Sequence, residues 1–124
     1  MSPRNLARDQ KLNDKHVDPV FRRKAIAVLK DVRGHGIPLV VVEVYRSKAR
    51  AALMKVTGKS KIGAKSKHCQ GKAMDCAFDD GKGGITWNVD RKWWDLFGSA
   101  AKAHGLTWGD RWRMKDTNHI EWNG

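Results

Sequence analysis

The chain has little of three things: long apolar runs, cysteine and acidic charge. No stretch approaches the roughly 20 consecutive apolar residues that a membrane-crossing helix needs, which excludes a helical membrane span. The opening, Met1 to Gln10, is polar and has no apolar block of the kind a secretory signal peptide requires, so export by that route is not expected. The two cysteines, Cys69 and Cys76, stand seven positions apart. That spacing makes neither a disulfide framework nor a Cys-x-x-Cys pair, and both are expected as reduced, buried thiols. Acidic residues number 13 against 25 Lys and Arg, a formal charge of +12. The imbalance directs attention to polyanionic partners. Repeats and low-complexity tracts are absent too, and 124 residues suffice for one domain, 1–124, with a single modest core. Six tryptophans in a 40% hydrophobic chain favour a folded protein, although the mean hydropathy is −0.64.

The pattern of apolar residues and breakers predicts an α+β domain. Ser2-Pro3 can cap a short first helix. Asp18-Pro19 opens a longer one, with Phe21, Ala25, Val28, Leu29 and Val32 at helical spacing and Gly34 as its stop. Leu39 to Tyr45 is β-branched and apolar, hence a central strand that delivers Arg46 at its end. Ser47 caps a helix to about Val56, and 57–72 reads as a loop. Gly81 to Gly84 marks a turn. Asp90 caps a helix carrying Trp94, Phe97 and Ala101 that Gly105 stops, and Trp108, Trp112, Ile120 and Trp122 fall in short closing strands. The expected architecture is a small antiparallel sheet flanked by helices.

Two segments carry chemistry: Ser66-Lys-His68-Cys-Gln-Gly71-Lys-Ala73-Met-Asp75 and Asp116-Thr-Asn-His119-Ile-Glu121-Trp. They supply two imidazoles and a carboxylate that could hold one zinc ion, with a further carboxylate close by in sequence. Zinc held by three such ligands leaves a position for water, whose pKa falls to about 7. A free carboxylate beside it can serve as general base. The set therefore reads as a zinc hydrolase. Along a strand, Asp75 shares a face with Ala73 and Ala77, which leave space, while Met74, Cys76 and Phe78 face the core. Gly71 permits a tight turn returning His68 toward Asp75. His119 and Glu121 share a face opposite Asn118, Ile120 and Trp122, making Glu121 a candidate partner that orients the histidine. Asp116-Thr117-Asn118 is turn chemistry that could aim Asp116 and His119 at one point. His16, His35 and His104 lack ligand-like neighbours and read as surface or structural residues. Glu43 is expected to pair with a basic neighbour, and Asp79 and Asp80 to serve a turn.

The same residues resemble a family pattern. Ser66, His68, Gly71, Ala73 and Asp75, followed by Asp116-x-x-His119, are similar to the motifs of the zinc D-alanyl-D-alanine carboxypeptidases and L-alanyl-D-glutamate peptidases. That group includes vancomycin-resistance carboxypeptidases and many phage endolysins. The five-position match alone should arise by chance in roughly one chain of this length in ten thousand. The likeness extends to Tyr45-Arg46-Ser47 and to the opening Arg4 to Asp9. It implies zinc on His68, Asp75 and His119, with Asp116 as catalytic base and Arg46 contacting a substrate carbonyl or carboxylate. Ser66 and Tyr45 would stand beside substrate or behind the ligands. The family commonly has Gly before the Tyr-Arg-Ser and a glutamine soon after; here Val44 precedes it and Ala49, Ala51 and Ala52 follow. These departures touch the substrate side and leave the bond cleaved open.

The resemblance implies hydrolysis of peptidoglycan stem peptides. An L-alanyl-D-glutamate endopeptidase, most like a short single-domain endolysin, is expected first, and a D-alanyl-D-alanine carboxypeptidase second. Delivery from the host cytoplasm to the wall would then need a holin, and no separate wall-binding module is expected within 1–124. The run Lys55 to Lys72 reads either as a basic lip steering an acidic substrate or as a solvated loop. The charge would also suit an anionic envelope surface. Nucleic acid is the competing partner on charge alone, but no nucleic-acid motif accompanies it and no stable complex is expected. A monomer is expected, and a non-catalytic wall-binding module is disfavoured because it would have no use for Asp116.

Overall fold

The first helix depends on one hydroxyl: Ser2 Oγ accepts from the Asn5 N–H at 3.2 Å, and Pro3 occupies a first-turn position where its missing N–H costs nothing. In the computed structural model, residues 1–58 and 66–124 are described. Helix α1 (Pro3–Ala7) runs into a 3₁₀ turn (Arg8–Asn13). Helix α2 (Pro19–Gly34) begins where the Asp18 carboxylate accepts from the N–H groups of Val20 and Phe21 at 2.8 and 3.1 Å. Its buried stripe is the expected one: Phe21, Ala25, Val28, Leu29 and Val32. Strand β1 (Leu39–Glu43), helix α3 (Lys48–Val56), a second 3₁₀ turn (Lys67–Gln70), strands β2 (Ala73–Asp79) and β3 (Ile85–Thr86), helix α4 (Arg91–Ala103) and strands β4 (Thr107–Gly109) and β5 (Asp116–Glu121) follow.

The sheet is antiparallel in the order β1-β2-β5-β4, with β3 pairing the far end of β2. Met74, Cys76 and Phe78 of β2 join Leu39, Val41 and Ile120 in one apolar cluster with the buried residues of α2 and α4. That cluster is the core, and Asp75 stands on the opposite face. Helices α2 and α4 are tied by Lys24 Nζ to the His104 carbonyl at 2.8 Å and by His104 Nε2 to Asp31 Oδ2 at 2.7 Å. His104 is thus structural, as is His35, which bonds the Asp31 carbonyl at the end of α2.

Three expectations are corrected. The strand predicted as central and as running through Tyr45 lies at the edge of the sheet and stops at Glu43. Beyond it, the Val44 carbonyl and the Arg46 N–H bond to His68 instead of to a neighbouring strand. The predicted turn at Asp116-Thr117-Asn118 is the start of β5. Trp112 and Trp122 lie outside the strands, Trp112 in the β4–β5 connection and Trp122 just past β5. Of the basic lip read at 55–72, Lys59, Lys61 and Lys65 fall outside the described residues.

Candidate metal centre

Asp75 lies mid-strand in β2, opposite Glu43 on β1 and opposite His119 on β5. Side chains on directly paired residues share a face, so the row Glu43–Asp75–His119 crosses three strands on the side away from the core. His68 arrives from sequence nearby. Ser66 Oγ accepts from the His68 N–H at 3.2 Å and starts the 3₁₀ turn, which Gly71 ends at φ +67°. A Cβ at Gly71 would lie 2.0 Å from the His16 carbonyl oxygen, so both conformation and space require glycine. The turn is held from above by β1's continuation: His68 Nδ1 meets the Val44 carbonyl at 2.7 Å, and Arg46 N–H donates to the His68 carbonyl at 3.2 Å.

His68 Nε2 then lies 3.1 Å from Asp75 Oδ2, and His119 Nδ1 lies 2.8 Å from Asp75 Oδ1. One ligand atom from each residue fits within 4.8 Å of the others. The remaining ring nitrogens fix which atoms face inward. A carbonyl can only accept, so His68 donates from Nδ1 and leaves Nε2 for a metal. His119 Nε2 sits 2.8 Å from Glu121 Oε1, leaving Nδ1. Two imidazole nitrogens, each backed by a hydrogen-bonded neighbour, and one carboxylate match the donor set of a catalytic zinc site. The residues fit the ion.

Without an ion, the cluster balances its charge with a proton. Burial would raise the Asp75 carboxyl, but hydrogen bonds from His119 and His68 overcome it and hold it well below the usual carboxylate range. Burial would lower His119, yet its bonds to Asp75 and Glu121 push it up to about 9. Without a metal, therefore, His119 is a cation bridging two carboxylates. Asp116 Oδ2 stands 3.8 Å from His119 Nδ1. Residues three apart on a regular strand face opposite ways. Here β5 bulges: Trp108 pairs Ile120 but Gly109 pairs Asp116, so 117–119 are inserted between two successive β4 positions. The bulge brings Asp116 to the His119 side. Its base is pinned, because Asp110 accepts from Arg91 Nη1 at 2.9 Å and from Thr117 Oγ1 at 2.9 Å, and Trp108 Nε1 donates to the Thr117 carbonyl at 2.7 Å. Burial pushes the half-buried Asp116 carboxyl above its ordinary value, against the pull of His119.

A cleft of about 1260 Å³ opens over this cluster, between Met54 of α3 with Gly58 just past its end and the β4–β5 connection (Trp112 to Lys115). Arg46, Ser66, Asp116 and Glu121 also line it. Arg46 is nearly buried and gives Nε and Nη2 to the two oxygens of Glu43 at 2.9 and 2.8 Å. That bond holds the Glu43 carboxyl below its ordinary value despite burial. Tyr45 is not in the cleft. It stacks on His16, centroids 4.4 Å apart, and lines a separate groove with Lys11 and Asp14. Pairing ends at Glu43, and the two bonds to His68 turn Arg46 inward instead. Asn118 and the Val44 carbonyl were not foreseen here, nor was which of the tryptophans would line the cleft. The Trp112 ring packs 5.2 Å from His119, and Asn118 reaches the cleft because the bulge breaks strand alternation. The cysteines stay out of the ligand set: Cys76 is in the core and Cys69 is half-buried in the 3₁₀ turn.

Residues 60–122, just over half the chain, match the D-alanyl-D-alanine carboxypeptidase family of peptidases. The chain belongs to that family. The match spans His68, Asp75, Asp116 and His119, while Arg46 and Tyr45 lie ahead of it. The chain is 28% identical to the peptidoglycan L-alanyl-D-glutamate endopeptidase CwlK of Bacillus subtilis over 119 residues, covering 83% of this chain and 71% of that protein. Among solved structures, the Serratia marcescens L-Ala D-Glu endopeptidase ChiX superposes with a TM-score of 0.69 at 22% identity, covering 98% of this chain and 88% of that one. The LD-carboxypeptidase LdcB gives 0.65 at 15% identity, over 87% of this chain and 66% of that one. At these identities the structural likeness establishes the fold.

Proposed function

We propose that the protein is a zinc peptidase that hydrolyses peptidoglycan stem peptides, with the L-alanyl-D-glutamate bond as its target. The observation that carries the reading is the convergence of His68 Nε2, Asp75 and His119 Nδ1 within 4.8 Å, with Asp116 3.8 Å from His119, in a peptidase family member. Support for the endopeptidase form comes from CwlK, named for that bond, and from a cleft of about 1260 Å³, above the roughly 300–1,000 Å³ of ordinary small-ligand pockets.

His68, Asp75 and His119 would hold the ion. Bound there, zinc supplies Lewis acidity and a water of lowered pKa. Asp116 takes the proton of the attacking water and returns it to the leaving amine nitrogen; its burial makes it a better proton acceptor than an exposed aspartate. Arg46, fixed by Glu43, turns its remaining N–H groups to the substrate. Ser66 holds the turn that carries His68. The +12 charge and the resemblance to short endolysins support a lytic role in which a holin-type pore admits the enzyme to the wall.

The test is digestion of outer-membrane-stripped peptidoglycan by wild type and Asp116→Asn, each with zinc or chelator, with products read by mass spectrometry. Release of fragments that end at L-alanine and begin at D-glutamate, lost in both controls, is expected. Release of D-alanine alone would make the enzyme a carboxypeptidase. No cleavage with zinc present would end the peptidase reading.

A further inference from the structure

Among the described residues, four Lys and Arg side chains line the cleft, and their surroundings differ. Arg46 is bonded to Glu43 through two nitrogens at 2.8 and 2.9 Å, and Lys115 Nζ lies 3.7 Å from Asp110. Lys67 and Arg113 line the same cleft, yet among the described residues neither charged group has a hydrogen bond or ion pair. Lys67 is half-buried as a residue, and a lysine in that position can cover its stem while keeping its ammonium in the water of the cleft. Their positions are informative. Lys67 immediately precedes His68, and Arg113 immediately follows Trp112, whose ring packs on His119. The two unmatched cations therefore come from two different segments that border the metal cluster, the 3₁₀ turn and the β4–β5 connection.

We propose, resting on the peptidase reading above, that Lys67 and Arg113 are specificity residues that receive a carboxylate of the substrate next to the scissile bond, so that the cleft selects acidic peptides. Arg46 is unsuited to that task. With a carboxylate 2.8 Å away its charge is already matched, and it offers N–H groups with little net charge, which suits a neutral carbonyl. The unmatched cations among the described lining residues are Lys67 and Arg113, and the planar guanidinium of Arg113 can bind a carboxylate through two parallel bonds. A polyanion such as nucleic acid fits poorly. The strands put Glu43, Asp75, Asp116 and Glu121 along the same cleft, and a phosphate chain crossing it would meet them. One carboxylate held at the flanking segments avoids that repulsion.

The experiment uses zinc-loaded full-length protein and two synthetic stem peptides, identical except that the free carboxylate of the residue after the scissile bond is amidated in one. Wild type should prefer the acidic peptide in kcat/KM by roughly three- to tenfold, the range of a partly exposed charge-assisted contact. The preference should fall toward one in Lys67→Met/Arg113→Gln, through a higher KM for the acidic peptide, and should shrink in wild type as salt is raised. Arg113→Glu should reverse it. Equal rates on both peptides in wild type, or an unchanged preference in the double variant, would overturn the proposal while leaving the peptidase reading standing. Cleavage of neither peptide nor of whole peptidoglycan would overturn both.

Discussion

Asp75 and His119 hold each other in place through a 2.8 Å contact, and Glu121 holds His119 from its other side at 2.8 Å. The geometry of the cluster is thus set by charge-assisted bonds among buried or half-buried groups, which are stronger than neutral ones. Glu121 is the residue that fixes which nitrogen faces inward. Glu121→Gln should lower zinc affinity about ten- to a hundredfold, the usual effect of losing a partner behind a ligand histidine; competition with a chromophoric chelator measures it. An unchanged affinity would mean that Glu121 does not orient the ring. Gly71 acts at the same scale by a different route. Gly71→Ala sets a left-handed backbone against a side chain and drives its Cβ to 2.0 Å from the His16 carbonyl oxygen. The conformational part alone costs roughly 1–2 kcal/mol, and the backbone contact adds to it. A loss of at least about 2 kcal/mol is expected in urea unfolding, with weaker zinc binding because the displaced turn carries His68.

Among the elements, the helix boundaries were legible because their causes are local. Asp18, Ser47 and Asp90 each cap a helix with their own side chains, and such a signal needs only a few residues of context. His68, Asp75, Asp116 and His119 were legible because two short segments contain all four. What could not be read depends on pairing between distant strands. The bulge that brings Asp116 beside His119, and the irregularity between Val41 and Glu43, arise from register, which alternation along one strand does not encode. Tyr45 was misplaced for that reason, and Arg46 found its partner in Glu43 only once the chain left the sheet. Packing between α4 and β4 gives a further prediction with opposing terms. Gly98→Ala improves helix propensity by roughly 1 kcal/mol. Its Cβ, however, would lie 2.1 to 2.5 Å from Trp108 ring atoms, and overpacking of this kind costs about 1–3 kcal/mol. The indole is held by its bond to the Thr117 carbonyl at 2.7 Å, so it cannot retreat without pulling on the bulge. Net destabilisation is expected, together with slower peptide hydrolysis. A variant more stable than wild type would show that Trp108 has room to move.

For the whole molecule, the cluster makes stability depend on pH in opposite senses with and without metal. In metal-free protein His119 titrates near 9, against about 6.5 in an unfolded chain. A raised histidine pKa stabilises the fold fully below the unfolded value, and that stability is lost as pH rises through the folded one. Chelated protein should therefore melt at progressively lower temperature between about pH 6.5 and pH 9. The full effect is on the order of 3 kcal/mol at 1.36 kcal/mol per pH unit. Zinc needs His119 without its inward proton, so binding releases a proton and tightens as pH rises through the same window. The gap between the melting temperatures of zinc-loaded and chelated protein should accordingly widen from pH 6.5 to 9. Asp75 does not confuse the reading, because its bonds to His119 and His68 hold it well below the usual carboxylate range, and the Cys76 thiol is pushed above the window by burial. His119→Gln should remove both trends. A chelated melting temperature that stays level or rises across the window would mean that Asp75 and Glu121 do not share a protonated His119, and that the ligands take up their positions only when the metal binds.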